Sequence, residues 1–143
     1  MIQRILMSVV LSGFAIGIVT AATATPAPTV GIQAPTKSTN DGVYTKAQGE
    51  RGQKVFADKC TACHEPSRFS GEAFHESWDN KPLKELWDVA SGTMPEDNPG
   101  SLKQQEYADI LAYFLQLNAF PTGDAELLPG PGPMATIKVE KKP

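Results

Sequence analysis

Apolar residues in this 143-residue chain recur at helical spacing in two separate segments. Two segments show the i, i+3, i+4, i+7 pattern of an amphipathic helix: Leu83, Leu86, Trp87 and Ala90 in one, and Tyr107, Ile110, Leu111 and Phe114 in the other. A third segment with apolar positions lies around residues 45–60. No stretch alternates apolar and polar residues as a half-buried strand does. The pattern therefore predicts an all-α fold with three main helices and long loops.

Capping residues indicate where these helices begin. Thr45-x-x-Gln48 and Ser101-x-x-Gln104 match the capping-box pattern, which predicts helices from about residue 45 to 60 and from about 101 to 118. The second helix is expected over about residues 81–90, since Pro82 suits a first helical turn. Residues 65–80 mix Pro, Ser, Gly and charge, and are predicted to form a loop.

The first 24 residues have the form of a secretory signal peptide. Arg4 is followed by an uncharged apolar run to Ala24, and Ala22-Thr23-Ala24 fits the small-x-small cleavage rule. We predict cleavage after Ala24 and an exported, periplasmic protein. An uncleaved membrane anchor is the alternative, because about 20 apolar residues suffice to span a bilayer.

Composition divides the remaining chain into three parts. Residues 25–43 are rich in Pro, Thr and small residues, which predicts a flexible linker. Residues 44–121 hold the helical patterns and are expected to form the folded domain. Residues 122–143 include Pro129-Gly130-Pro131-Gly132-Pro133 and are predicted to form an irregular tail.

Cys60-Thr61-Ala62-Cys63-His64 is the Cys-x-x-Cys-His pattern of c-type haem attachment. Cys60 and Cys63 could each form a thioether with one covalently attached haem, and His64 could supply the proximal iron ligand. A thioredoxin-type redox pair would need a preceding βαβ context, and a structural zinc site would need a second cysteine pair. Neither is visible, and the chain has no other cysteine.

The sixth iron ligand distinguishes an electron carrier from a haem enzyme. Met94 precedes a proline in a predicted loop, and proline favours an extended backbone at the residue before it. We therefore predict Met94 as the second axial ligand. His75, Met134 in the Pro/Gly tail, and an open sixth position are the alternatives. An open position would allow oxygen, peroxide or nitric oxide to bind.

The net charge bears on whether nucleic acid is a partner. The formal net charge is −3, which gives no support for nucleic-acid binding.

The order of these features resembles the class I cytochrome c fold over about residues 44–121. In that family the first and last helices cross, and Gly52, Phe56, Ile110 and Tyr113 look like the positions of that crossing. Trp78 resembles the family's tryptophan near the haem propionates, and Trp87 is expected to pack against the haem. Many relatives have glycine after the haem histidine, whereas this chain has Glu65-Pro66.

Three further segments are similar to small periplasmic cytochromes associated with quinoprotein dehydrogenases: residues 42–45, 93–102 and 118–123. The resemblance implies an electron carrier rather than an enzyme. Its expected partners are a redox-protein donor such as a quinoprotein dehydrogenase and a terminal acceptor such as an oxidase. A membrane is an expected partner only if the leader is uncleaved. A haem enzyme or gas-binding sensor is the alternative function.

Overall fold

The computed structural model describes residues 36–141. Five α-helices form most of the structure: α1 (Lys46–Lys59), α2 (Gly71–Trp78), α3 (Leu83–Thr93), α4 (Gln104–Leu117) and α5 (Pro131–Ala135). Two short strands, β1 (Lys37–Ser38) and β2 (Ile137–Lys138), pair in parallel. Short 3-10 helices span Thr39–Asp41 and Pro66–Phe69. The predicted all-α class is confirmed, and the signal peptide and its anchor alternative lie outside the described residues.

The start of α1 agrees with the predicted capping box, whereas the start of α4 and the segment between α1 and α3 differ from the prediction. Thr45 caps α1, and its side chain accepts a hydrogen bond from the Gln48 backbone N–H at 3.1 Å. The predicted start at Ser101 is wrong, because α4 is capped at Lys103, whose N–H donates to Glu106. The loop predicted over residues 65–80 is also wrong, because α2 forms there and buries Phe74 in the core.

Helices α1 and α4 cross in direct backbone contact. A Cβ at Gly52 would lie 1.7 Å from the Asp109 carbonyl oxygen, so only glycine fits at this crossing. Phe56, buried beside Gly52, packs against Tyr113 and Phe114 with ring centroids 5.6 and 5.8 Å apart. The crossing predicted from the resemblance is therefore present in the structure.

A buried polar network joins the same crossing to the segment after α4. The Gln48 side chain donates to the Asp109 carboxylate at 3.1 Å and to the Leu127 carbonyl at 2.9 Å, and accepts from the Leu127 N–H at 2.7 Å. Arg51 contacts both Asp109 and Glu126. These bonds satisfy the buried amide and carboxylate and hold residues 126–127 against α1.

Within the described residues, the segments on both sides of the predicted domain are more ordered than expected, and linker residues 25–35 lie outside the described part of the chain. Residues 36–43, assigned to the flexible linker, include β1 and the fully buried Thr39, and the predicted irregular tail contains α5 and β2. Met134, Ile137 and Val139 are buried in the core, and this burial explains why the tail folds. The linker prediction for 36–43 and the tail prediction for 122–141 are thus wrong.

The C-terminal strand also contacts the turn between α2 and α3. The Val139 carbonyl accepts from the Asn80 N–H at 2.8 Å, and the Val139 N–H donates to the Lys81 carbonyl at 2.9 Å. We call residues 137–141 the terminal brace, because they hold the start of α3. Within residues 36–141, no helix combines the length and hydropathy required of a membrane span.

Candidate haem site

A cavity of about 540 Å³ lies among the end of α1, helix α3 and helix α4. Its lining is mainly apolar and aromatic: Phe56, Phe69, Trp78, Leu86, Val89, Ala90, Pro95, Leu102, Tyr107, Ile110 and Phe114. Cys60, Cys63, His64 and Met94 also line it. The structure therefore brings the predicted thiols and both predicted iron ligands to one cavity.

The Cys60–His64 segment, which we call the His64 wall, follows α1 directly. Cys60 caps α1, and its carbonyl accepts from the N–H groups of Cys63 at 3.1 Å and His64 at 2.9 Å. This tight turn places two free thiols and an imidazole within five residues of each other. Burial raises the pKa of the Cys60 thiol, which favours its neutral form.

Aromatic packing holds the His64 ring. Phe69 lies edge-on to it, with ring centroids 5.5 Å apart, and stacks on Phe114 of α4 at 4.3 Å. The buried Nδ1 atom of His64 has no hydrogen-bond partner among the described residues. A buried polar atom without a partner is costly and points to a group still to be bound near this ring.

Residues 94–102, which we call the Met94 wall, connect α3 to α4. Met94 caps α3 with an extended backbone, φ −119° and ψ 150°, as expected before proline. Its N–H donates to the Ala90 carbonyl at 3.2 Å. Its own carbonyl accepts from the Tyr107 hydroxyl at 2.7 Å and from the Gly100 N–H at 3.2 Å. The Met94 backbone is thus tied to both flanking helices.

The alternative ligands lie elsewhere. His75 does not line the cavity; its Nδ1 is 2.8 Å from the Asp79 carboxylate. Met134 is fully buried in the core and is also absent from the lining. Among the described residues, Met94 is therefore the methionine that the cavity can use.

The two tryptophans differ in position. Trp78 lines the cavity, and the Lys81 ammonium lies 5.5 Å from its ring centroid. Trp87 does not line the cavity, contrary to expectation. Its buried ring packs edge-on against Tyr107, with centroids 6.1 Å apart. Trp87 supports the cavity wall from within the core instead of contacting a ligand directly.

These residues fit a covalently attached haem. The cavity volume falls within the range of about 300–1,000 Å³ that is usual for cofactor and ligand pockets, and its lining suits a flat apolar body. The free thiols, the His64 imidazole and the thioether of Met94 are the donor set of c-type haem sites.

Comparison with known families gives one match. The family model described as cytochrome C oxidase, cbb3-type, subunit III matches residues 47–114. The match supports a c-type cytochrome domain. This cytochrome domain implies covalently bound haem c, so the cofactor prediction is confirmed, and it supports a haem-based electron-transfer protein. No curated protein and no solved structure was found to match the chain.

Two residues that line this cavity were not singled out from the sequence as site residues. Phe69 lies in a segment that was predicted to be a polar loop. The one sign of a buried position there was a single aromatic residue two positions after Pro66-Ser67. Tyr107 was assigned to the apolar face of α4. Its hydroxyl bonds to Met94, 13 residues earlier in the chain, and apolar periodicity does not predict a contact between a helix and the loop before it.

Proposed function

We propose that this protein is an exported single-haem electron carrier with His64 and Met94 as axial iron ligands. The observation that supports it most strongly is the lining of one cavity by Cys60, Cys63, His64 and Met94. Bound haem supplies an iron that alternates between Fe(III) and Fe(II). The thiols of Cys60 and Cys63 would hold the porphyrin through thioether bonds.

The surrounding residues support electron transfer over substrate turnover. Two protein ligands leave no iron position for a substrate, and the neutral Met94 thioether favours reduced iron. Most of the lining is aromatic or aliphatic, and such a shell around an iron limits solvent access and sets the local dielectric on which the reduction potential depends. Val89, 48% exposed, also lines the cavity and gives a partner protein an apolar contact at its mouth.

Substitution of Met94 tests the axial assignment. The ferric wild type should show the near-red charge-transfer band of iron–thioether ligation, and Met94→Ala should lose it and bind carbon monoxide when reduced. Met134→Leu is the matched control, because Met134 is buried away from the cavity, and it should keep the band and exclude carbon monoxide. A band that survives in Met94→Ala would rule out this ligand.

We further propose that the electron donor is a periplasmic dehydrogenase, with a quinoprotein as the first candidate, and that the acceptor is a terminal oxidase. The resemblance of residues 42–45, 93–102 and 118–123 supports the donor. Rapid reduction of the purified cytochrome by a quinoprotein dehydrogenase and its substrate would be expected. Reduction that is no faster than with the substrate alone would rule out a quinoprotein dehydrogenase as the donor.

The matched family's description names an oxidase subunit, which raises a second arrangement for the same chemistry. A fixed subunit should co-purify with an oxidase under mild extraction, whereas a free shuttle should not.

The mass of the exported protein tests the proposed cleavage after Ala24 in the same preparation. A mass that includes residues 1–24 would instead support an anchored protein.

A further inference from the structure

We infer that Tyr107 is a positioning residue for the iron ligand Met94, and that its hydroxyl sets how firmly the thioether stays on the iron. The inference rests on the proposed axial role of Met94. It concerns a side chain that would not itself ligate the metal.

The Tyr107 hydroxyl is fully engaged at the junction of α4 and the Met94 wall. It donates to the Met94 carbonyl at 2.7 Å and accepts from the Leu102 N–H at 3.4 Å. The side chain is 1% exposed, and its ring is fixed edge-on to Trp87 of α3. A buried hydroxyl with both donor and acceptor capacity used is held in one orientation.

The loop that carries Met94 has few other ties to α4. Its remaining backbone bonds are internal or lead to α3: Gly100 to Met94, Asn98 to Pro95, Ser101 to Asn98, and Met94 to Ala90. Among the described residues, the two bonds of Tyr107 are the ones that join residues 94–102 to α4. Residues 96–100 are exposed, and the half-buried Leu102 packs against the core at the end of the segment next to α4.

The consequence falls on the thioether. Methionine has three rotatable side-chain bonds, so its side chain adds little rigidity of its own, and a displaced backbone would move the thioether with it. Removing the hydroxyl frees the Met94 carbonyl from α4 while the ring still packs against Trp87. The fold should persist, and an external ligand should displace the thioether more easily.

Imidazole titration of the ferric holoprotein measures that displacement through loss of the near-red band. Tyr107→Phe removes both bonds of the hydroxyl and should bind imidazole about five- to tenfold more tightly than the wild type, the effect expected from loss of the bond to the Met94 carbonyl. Tyr113→Phe is the matched control, because Tyr113 is buried in the same helix and its hydroxyl makes no hydrogen bond with the described residues. It should titrate as the wild type does.

Two results would overturn the inference. One is equal imidazole affinity for Tyr107→Phe and the wild type. The other is a lowered unfolding midpoint in Tyr107→Phe with unchanged imidazole affinity, which indicates a structural role alone. Absence of the band in the wild type, or its persistence in Met94→Ala, would instead contradict the proposed function, so the two failures are distinguishable.

Discussion

The His64 wall and the Met94 wall border the same cavity but are held by different contacts. The His64 wall follows α1, which meets α4 in backbone contact at Gly52 and in a cluster of phenylalanine rings. The Met94 wall follows α3, whose start is held by the terminal brace and whose end is held by Tyr107. The His64 wall therefore depends mainly on helix packing, whereas the Met94 wall, whose helix α3 buries Leu83, Leu86 and Trp87, depends on individual hydrogen bonds as well.

This difference predicts two classes of variant. Damage to the α1–α4 crossing should destroy the fold together with the haem site, because both depend on the same contact. Damage to the brace or to Tyr107 should weaken the Met94 side first and leave the folded domain largely intact.

The largest effect is expected at the crossing. Gly52→Val places a side chain against the Asp109 backbone, where even a Cβ would lie 1.7 Å from the carbonyl oxygen. The helices would have to separate, at a cost above about 3 kcal/mol in unfolding free energy. Denaturant unfolding and the yield of haem-bound protein would measure it. Gly92→Ala in α3 is the control, since nothing lies within 4 Å of its Cβ, and it should fold normally.

A smaller loss is expected from the polar network beside the crossing. Asp109→Ala leaves the buried Gln48 amide and the Arg51 guanidinium without their shared partner. Both groups keep a second partner, Leu127 for Gln48 and Glu126 for Arg51, so the loss is that of hydrogen bonds to a charged group, about 1–3 kcal/mol in unfolding free energy. Thermal or denaturant unfolding checks the value. Asp88→Ala, which removes an exposed partner of Lys84, should show no comparable loss, and equal losses would refute the role of the network.

The terminal brace should give a smaller and more selective effect. Val139→Pro removes the N–H that donates to the Lys81 carbonyl at 2.9 Å, at the start of α3. We expect about 1–2 kcal/mol of lost stability, accompanied by easier imidazole displacement of Met94. Lys141→Pro, at the exposed end of the brace, is the control. Lost stability with an unchanged imidazole titration would show that the terminal brace does not affect how firmly Met94 is held.

Much of the His64 side could be predicted from the sequence, because its determinants are local. The thiols and His64 are contiguous, Thr45 and Gln48 mark the start of α1, and the apolar stripe around Ile110 marks α4. The extended backbone of Met94 was also within reach, since proline favours that conformation at the residue before it, and the structure places Met94 in the lining of the cavity.

The Met94 side was harder to predict because its supports join residues far apart in sequence. The brace pairs β1 with β2 and Asn80 with Val139 through backbone atoms, which leave no side-chain signature. A Pro/Gly-rich sequence predicted an irregular tail, but burial of Met134 and Val139 overrode that local preference. Trp87 was misplaced for a related reason, since apolar spacing identifies a buried helix face without saying what covers it.

The central claim is that one iron is held by His64 and Met94 together. X-ray absorption at the iron edge of the purified holoprotein tests this most directly, in both oxidation states. The account predicts one sulfur ligand in the wild type in both states and its loss in Met94→Ala. An iron without sulfur in its ligand shell in the wild type would contradict it.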